Sequence, residues 1–367
     1  MLISSAILVP AAREVTKIQR QKRKLDHIEY ALRHSRPEVS NGFEDIRLIN
    51  DSLPGFSLSD VDPTCVFLGK RLAAPLLINA ITGGHPAVAG INKSLARAAR
   101  QTGVAMAVGS QMAGLENPKL RQTYEVARQE NPDGVLLANL SAGAPPEQAA
   151  AAVEMISADG LQLYLNVPQE LAMQEGDRRF NGVVDNIKKV TSALNSPVIV
   201  KEVGFGLSRE SVSAIYAAGV RHVDVGGQGG TNFIEIENMR SGKINSADIR
   251  NWGIPTAVSL LEGLSLGLPV FMIASGGLET GVDVAKAAAL GAGLAGMSRI
   301  FLKELMDHSE EGLINKISGI IDELRLVMLM SGAKNLAQLA KKPVLITGPV
   351  AEWAQRRGID IDKYARR

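Results

Sequence analysis

Lys201 stands inside an apolar run, Ile-Val-Lys-Glu-Val at 199–203. An ammonium is costly to bury there without a partner. Two kinds suit it: an anionic ligand such as a phosphate or an electron-rich ring, or an acid of the chain, Glu202 or another. Gln169 and Glu170 form a second cluster, just after Asn166. A single carboxylate is no full Mg²⁺ cage, but Mg²⁺ commonly takes one or two carboxylates with substrate phosphates and water. The bland reading of Glu170 is an acid favoured by the dipole at a helix start. Ser275-Gly276-Gly277 and Met297-Ser298 each close an apolar run. Bare backbone N–H groups beside a helix start make an anion site. Ser110, Asn139 and Thr231 are neutral hydrogen-bond partners, apt for the polar edge of a heteroaromatic ring.

Eight apolar runs must position these residues: Pro75–Ala80, Val104–Gly109, Val135–Leu140, Leu161–Val167, Pro197–Val203, His222–Val225, Val270–Ala274 and Leu294–Met297. They are continuous rather than alternating, so the strands are buried on both faces. Most connections are long enough for a crossover helix, and none carries a two-residue hairpin signal. The pattern predicts an α/β fold, one parallel (β/α)8 TIM barrel, with a doubly wound sheet as the competing topology. Thr-Gly-Gly at 82–84 is by itself a common turn, and an Asn after a strand is often a helix cap. Polar residues closing strand after strand are another matter, because in a barrel all of them face one mouth. With Lys201 beneath a ring and the last two units at a phosphate, this is the layout of an FMN barrel.

The bulk numbers agree. The chain has 367 residues, 46% hydrophobic but only 4% aromatic, so Ala, Val, Leu and Ile must build the core. A net charge of +2 excludes a nucleic-acid protein held by a basic face. The lone cysteine, Cys65, excludes an internal disulfide and fits a reducing compartment. No apolar run reaches the roughly 18 residues of a membrane span, and the opening Met-Leu-Ile-Ser-Ser lacks the leading charge of a signal peptide. The expected setting is cytoplasmic, with no membrane partner. The strongly basic stretch at 13–36 reads as a solvated amphipathic helix or as a segment closing over an anionic ligand through Arg23, Lys24 and His27; Lys24 and His27 share a helical face. The expected organisation is an N-terminal helical or irregular extension (1–60) contributing to the substrate site, a barrel (61–348) and a C-terminal tail (349–367).

The chain resembles the type 2, flavin-dependent isopentenyl-diphosphate isomerases. The resemblance rests on Arg23-Lys24-Leu-Asp-His27, Asn79-Ala-Ile-Thr-Gly-Gly84, Gly109-Ser-Gln111, Asn166-Val-Pro-Gln-Glu170, Val200-Lys-Glu-Val-Gly-Phe-Gly206, Gly229-Gly-Thr-Asn-Phe233 and Ala274-Ser-Gly-Gly277. It runs from Arg23 to about Gly348, and it implies a β/α barrel that often assembles into homo-oligomers, tetramers or octamers. It implies interconversion of isopentenyl and dimethylallyl diphosphate in isoprenoid biosynthesis, with reduced FMN, Mg²⁺, and NADPH as reductant. Ala80, Ile81, Thr82, Gly83, Ser110, Asn139, Lys201, Thr231, Ser275, Gly276, Gly277, Met297 and Ser298 would then hold FMN. Arg23, Lys24, His27, Ser110, Gln111, Met112, Asn166 and Gln169 would hold the small diphosphate substrate. Glu170 would take the metal, and Gln169 would act with the reduced flavin.

Two positions depart from that pattern. Met112 stands where many members have Arg, and Tyr164 where many have His. Methionine cannot grip a diphosphate as a guanidinium does. The loop after the sixth run holds Gln-Gly-Gly-Thr-Asn, without the His and Arg that a flavin 2-hydroxy-acid oxidase needs.

Overall fold

The computed structural model describes residues 29, 30, 32, 39–242 and 244–367. Each of the eight expected runs supplies one strand, differing only at its ends: β1 (Leu76–Ile78), β2 (Ala105–Ala107), β3 (Leu136–Ser141), β4 (Gly160–Leu165), β5 (Val198–Glu202), β6 (His222–Asp224), β7 (Phe271–Ser275) and β8 (Leu294–Met297). Each pairs in parallel with the next, and β8 pairs with β1, so the sheet closes on itself. A helix follows every strand: α1 (Ala89–Thr102), α2 (Gln122–Glu130), α3 (Pro146–Met155), α4 (Val183–Ala193), α5 (Arg209–Ala217), α6 (Thr256–Leu264), α7 (Gly281–Leu290) and α8 (Arg299–Met330). The topology is the (β/α)8 barrel, and the doubly wound sheet is excluded.

Alternate strand residues share a face, which sorts the core into two layers. Leu76, Ile78, Leu136 and Ala138 pack outward with the helices. Leu77, Ala105, Leu137, Ile199, Ile273 and Leu294 form the inner cluster. Two residues further along the same inward face the chemistry changes from apolar to polar: Leu77 gives way to Asn79, Leu137 to Asn139, Ile199 to Lys201 and Ile273 to Ser275. The short hairpin Cys65–Phe67 with Lys70–Leu72 joins the apolar layer, where Phe67 and Phe271 lie 5.3 Å apart between ring centres. Burial pushes the Cys65 thiol up to about 12, so it is inert at neutral pH. The barrel is apolar at that end and polar at the mouth.

Strand Ile46–Leu48 pairs antiparallel with Val344–Ile346 outside the barrel. The segment expected as a C-terminal tail folds as helices Gly348–Arg356 and Asp362–Ala365, burying Val350, Ala354 and Tyr364. Val350 and Ala354, four residues apart, put their side chains on one face of the first helix. No helix among the described residues is long and apolar enough to cross a membrane.

Candidate active site

One cavity opens at the carboxyl ends of the strands, and every residue expected to hold FMN lines it, from Ala80–Gly83 at β1 to Met297 and Ser298 at β8. Its tightest corner is made by two glycine loops. Gly276 has φ +114°, and a Cβ there would stand 2.0 Å from the Gly227 carbonyl oxygen; one on Gly277 (φ +78°) would stand 2.2 Å from that of Gly229. Only glycine permits this backbone-on-backbone contact. Thr256, fully buried at the start of α6, ties the loops by donating to the Gly276 carbonyl at 2.7 Å. Asn41 donates to the Gly277 carbonyl at 2.7 Å, so the chain before the barrel also braces the corner.

Lys201 is 7% exposed, and its ammonium donates to the backbone carbonyl of Glu202 at 2.6 Å. Among the described residues it makes no side-chain ion pair. Glu202 thus makes no direct ion pair with it, although the Lys201 charge still acts on the Glu202 carboxyl. Burial raises the Glu202 carboxyl to about 7, outweighing the N–H groups of Phe205 and Gly204 that donate to it at 2.5 and 2.7 Å. Across the mouth the hydroxyls of Ser110 and Tyr164 lie 3.3 Å apart, and Tyr124 donates to the Ser110 carbonyl at 2.6 Å.

The turn after β4 holds the second cluster. Asn166 Nδ2 donates to Gln169 Oε1 at 3.2 Å and to Glu170 Oε1 at 2.8 Å, while the Asp177 N–H meets Glu170 Oε2 at 2.8 Å. All three side chains line the cavity, and Gln169 is 9% exposed. With its carbonyl oxygen held by Asn166, Gln169 offers its amide nitrogen. No group of three or more His, Cys, Asp or Glu suited to a metal occurs among the described residues.

Some expected residues lie elsewhere. Gln111 is fully buried; its Nε2 donates to the Ala152 carbonyl at 2.9 Å and its Oε1 accepts from the Asn139 N–H at 3.0 Å, so its side chain braces β3 against α3 and does not line the cavity. Met112 packs against the core and is also absent from the lining. Arg23, Lys24 and His27 lie outside the described residues. Sequence reasoning missed Arg299 and Glu279, both in the lining and joined as an ion pair at 2.7 Å. The signal available for Arg299 was its place directly after Met297-Ser298.

The family model for FMN-dependent dehydrogenases matches residues 118–346. Among solved structures, a lactate oxidase of Pediococcus acidilactici superposes with a TM-score of 0.66 at 15% identity, covering 93% of this chain and 96% of that one. Flavocytochrome b2 with sulfite bound gives 0.65 at 18% identity, covering 93% and 89%. Fold and site thus define a barrel of the FMN-dependent dehydrogenase class. The curated relatives narrow this. The isopentenyl-diphosphate delta-isomerase of Moorella thermoacetica is 49% identical over 340 residues, covering 93% of this chain and 97% of the relative, and that of Symbiobacterium thermophilum is 45% identical over 358 residues, covering 95% and 98%. The chain belongs to the isopentenyl-diphosphate delta-isomerase family.

The residues fit FMN on their own evidence. Thr82 Oγ1 is buried in the cavity lining without a hydrogen-bond partner among the described residues. Such an orphan is expensive unless a ligand completes it. The glycine corner would take the phosphate, Lys201 the ring, and Ser110, Asn139 and Thr231 its polar edge.

Proposed function

We propose that this protein interconverts isopentenyl and dimethylallyl diphosphate by a 1,3 proton shift on FMN kept in its reduced state. The observation that carries the reading is one mouth bringing together the glycine corner, a buried ammonium with no side-chain ion pair among the described residues, and the Asn166–Gln169–Glu170 cluster. The reaction adds a proton at one end of the allylic unit and removes one at the other, with no net redox change. When bound and reduced, the flavin supplies a ring nitrogen able to give and take a proton and an electron-rich face that stabilises a developing cation.

The chain's own residues do the rest. Lys201 favours the anionic ring electrostatically. Gln169, its carbonyl oxygen held by Asn166, is the side chain we assign to the substrate, where its amide nitrogen donates a hydrogen bond that orients the allylic unit against the ring. Glu170 presents a carboxylate that, with diphosphate oxygens and water, would hold Mg²⁺. Met173, Phe233 and Ile300 in the lining keep water from a carbocation-like centre. Ser110 and Asn166 complete the substrate contacts, and Arg23, Lys24 and His27 are assigned to the diphosphate from the family resemblance alone. The same resemblance supports NADPH as reductant and a homo-oligomer, tetramer or octamer. The single cysteine supports a reducing, cytoplasmic setting.

The test is an anaerobic incubation of the protein with Mg²⁺, isopentenyl diphosphate and FMN, either reduced in advance or left oxidised, followed by NMR. Dimethylallyl diphosphate should form in the reduced arm alone. No product in either arm, with FMN bound, would overturn the proposal.

A further inference from the structure

Beneath the cavity five side chains from different strand ends are joined edge to edge. Asn139 Nδ2 donates to Gln162 Oε1 at 2.9 Å, Gln162 Nε2 to Asn79 Oδ1 at 2.9 Å, and Asn79 Nδ2 to Asp224 Oδ2 at 2.6 Å. From the other side Ser275 Oγ donates to Asp224 Oδ1 at 2.5 Å, and the Gly226 N–H reaches the same oxygen at 3.2 Å. Gln162 and Asp224 are fully enclosed, and the other three are 2–6% exposed.

This chain has a direction, and its charged end sets it. A carboxylate only accepts, whereas an amide has one donor end and one acceptor end. Asp224 therefore turns the Asn79 NH₂ toward itself, which leaves the Asn79 carbonyl for Gln162 and for the Ala80 N–H at 2.9 Å. That carbonyl demands the NH₂ of Gln162, and the Gln162 carbonyl in turn demands the NH₂ of Asn139. What remains is Asn139 Oδ1. It accepts no hydrogen bond among the described residues, and Asn139 lines the cavity. Hydrogen bonds aligned in series toward a charge in a low-dielectric interior reinforce one another, so reversing one amide means reversing all three.

We propose that Asp224 is a positioning residue: acting through Asn79 and Gln162, it orients the Asn139 amide so that an acceptor, not a donor, meets the cofactor and selects a ring N–H. The inference rests on the FMN reading above. Oxidised flavin has a single ring N–H, at N3, while its other polar ring atoms only accept. An Asn139 amide turned the other way would present a donor, and would fit a ring without that hydrogen equally well.

The test measures the affinity of the full-length protein for FMN and for 3-deaza-FMN, in which a C–H replaces the N3–H at nearly equal size. Unaltered protein, Asp224→Asn and Gln162→Leu are titrated by flavin fluorescence. Asp224→Asn offers a donor that lets the chain reverse, and Gln162→Leu cuts it midway. The unaltered protein should prefer FMN by about tenfold or more, the worth of one well-formed hydrogen bond. In both variants the preference should fall to within about threefold, whatever happens to absolute affinity. Should Asp224→Asn fail to fold, Gln162→Leu alone decides. A preference unchanged in a folded variant that still binds FMN would overturn the ordering alone, whereas unaltered protein that binds no FMN would overturn the cofactor reading with it.

Discussion

Lys201 and Glu202 are neighbours on β5, yet they interact through backbone and not as an ion pair: the ammonium donates to the Glu202 carbonyl at 2.6 Å, while the carboxylate turns to the N–H groups of Gly204 and Phe205. The strand alternation sends the two side chains to opposite faces. The cation is thereby held at the mouth without a side-chain ion pair among the described residues. Replacing it, as in Lys201→Met, should weaken FMN binding roughly 10–100-fold, the usual worth of a charge-assisted contact. Flavin fluorescence titration checks this, and an unchanged affinity would remove Lys201 from the site.

Glu202 makes a prediction about pH. Burial raises its folded-state value from the ordinary carboxylate value near 4.5 to about 7. The folded protein therefore holds the proton more tightly than the unfolded chain does. Stability falls as pH rises from about 4.5 to 7, by up to roughly 3 kcal/mol from this group alone. Glu202→Gln cannot ionise and should escape that loss. Thermal unfolding of both proteins without ligand should show the variant gaining on the parent as pH rises through this window. A difference constant with pH would mean that Glu202 is already ionised throughout.

The glycine corner is a steric prediction. Gly276→Ala would set a Cβ 2.0 Å from the Gly227 carbonyl oxygen, in a backbone conformation that L residues rarely adopt. Strain and overpacking together should cost about 2–5 kcal/mol. The two loops should part, and FMN affinity should drop by more than the global loss of stability explains. A thermal melt paired with a flavin titration separates the two effects.

The outer clamp predicts a loss at the acid end. Glu262 is 1% exposed and accepts from Arg357 at 2.8 Å, Trp353 at 3.0 Å and Arg209 at 3.0 Å, joining the end of helix Gly348–Arg356 to α5 and α6. Burial alone would raise its carboxyl, but these donors together hold it at about 2. The stability it contributes is present above its unfolded value near 4.5 and drains away as pH falls toward 2. Glu262→Gln should destabilise the protein by about 1–3 kcal/mol at neutral pH, since the charge-assisted hydrogen bonds from two partly exposed arginines weaken. The deficit should shrink on acidification, which urea unfolding at several pH values would reveal.

Much of the fold was legible because strands buried on both faces leave unbroken apolar runs. The cavity-lining residues were legible because most stand at or just past the end of such a run. What escaped is non-local. A lone Asp224 or Gln162 inside a strand says nothing about partners that stand 145 and 83 positions away. Gln111 looked like a loop ligand since spacing cannot tell which way its side chain turns. Strand Val344–Ile346 is too short to announce itself, and only its pairing with Ile46–Leu48 makes it one.

The most direct measurement follows the transferred proton. Protein carrying reduced FMN and Mg²⁺ is incubated anaerobically with isopentenyl diphosphate in deuterated water, and the product is read by NMR. The account predicts dimethylallyl diphosphate carrying deuterium in the methyl group newly formed from the alkene terminus, and none of it when the flavin stays oxidised. Product formed without solvent deuterium, or formed equally with oxidised flavin, would contradict a proton exchanged at a reduced flavin in this cavity.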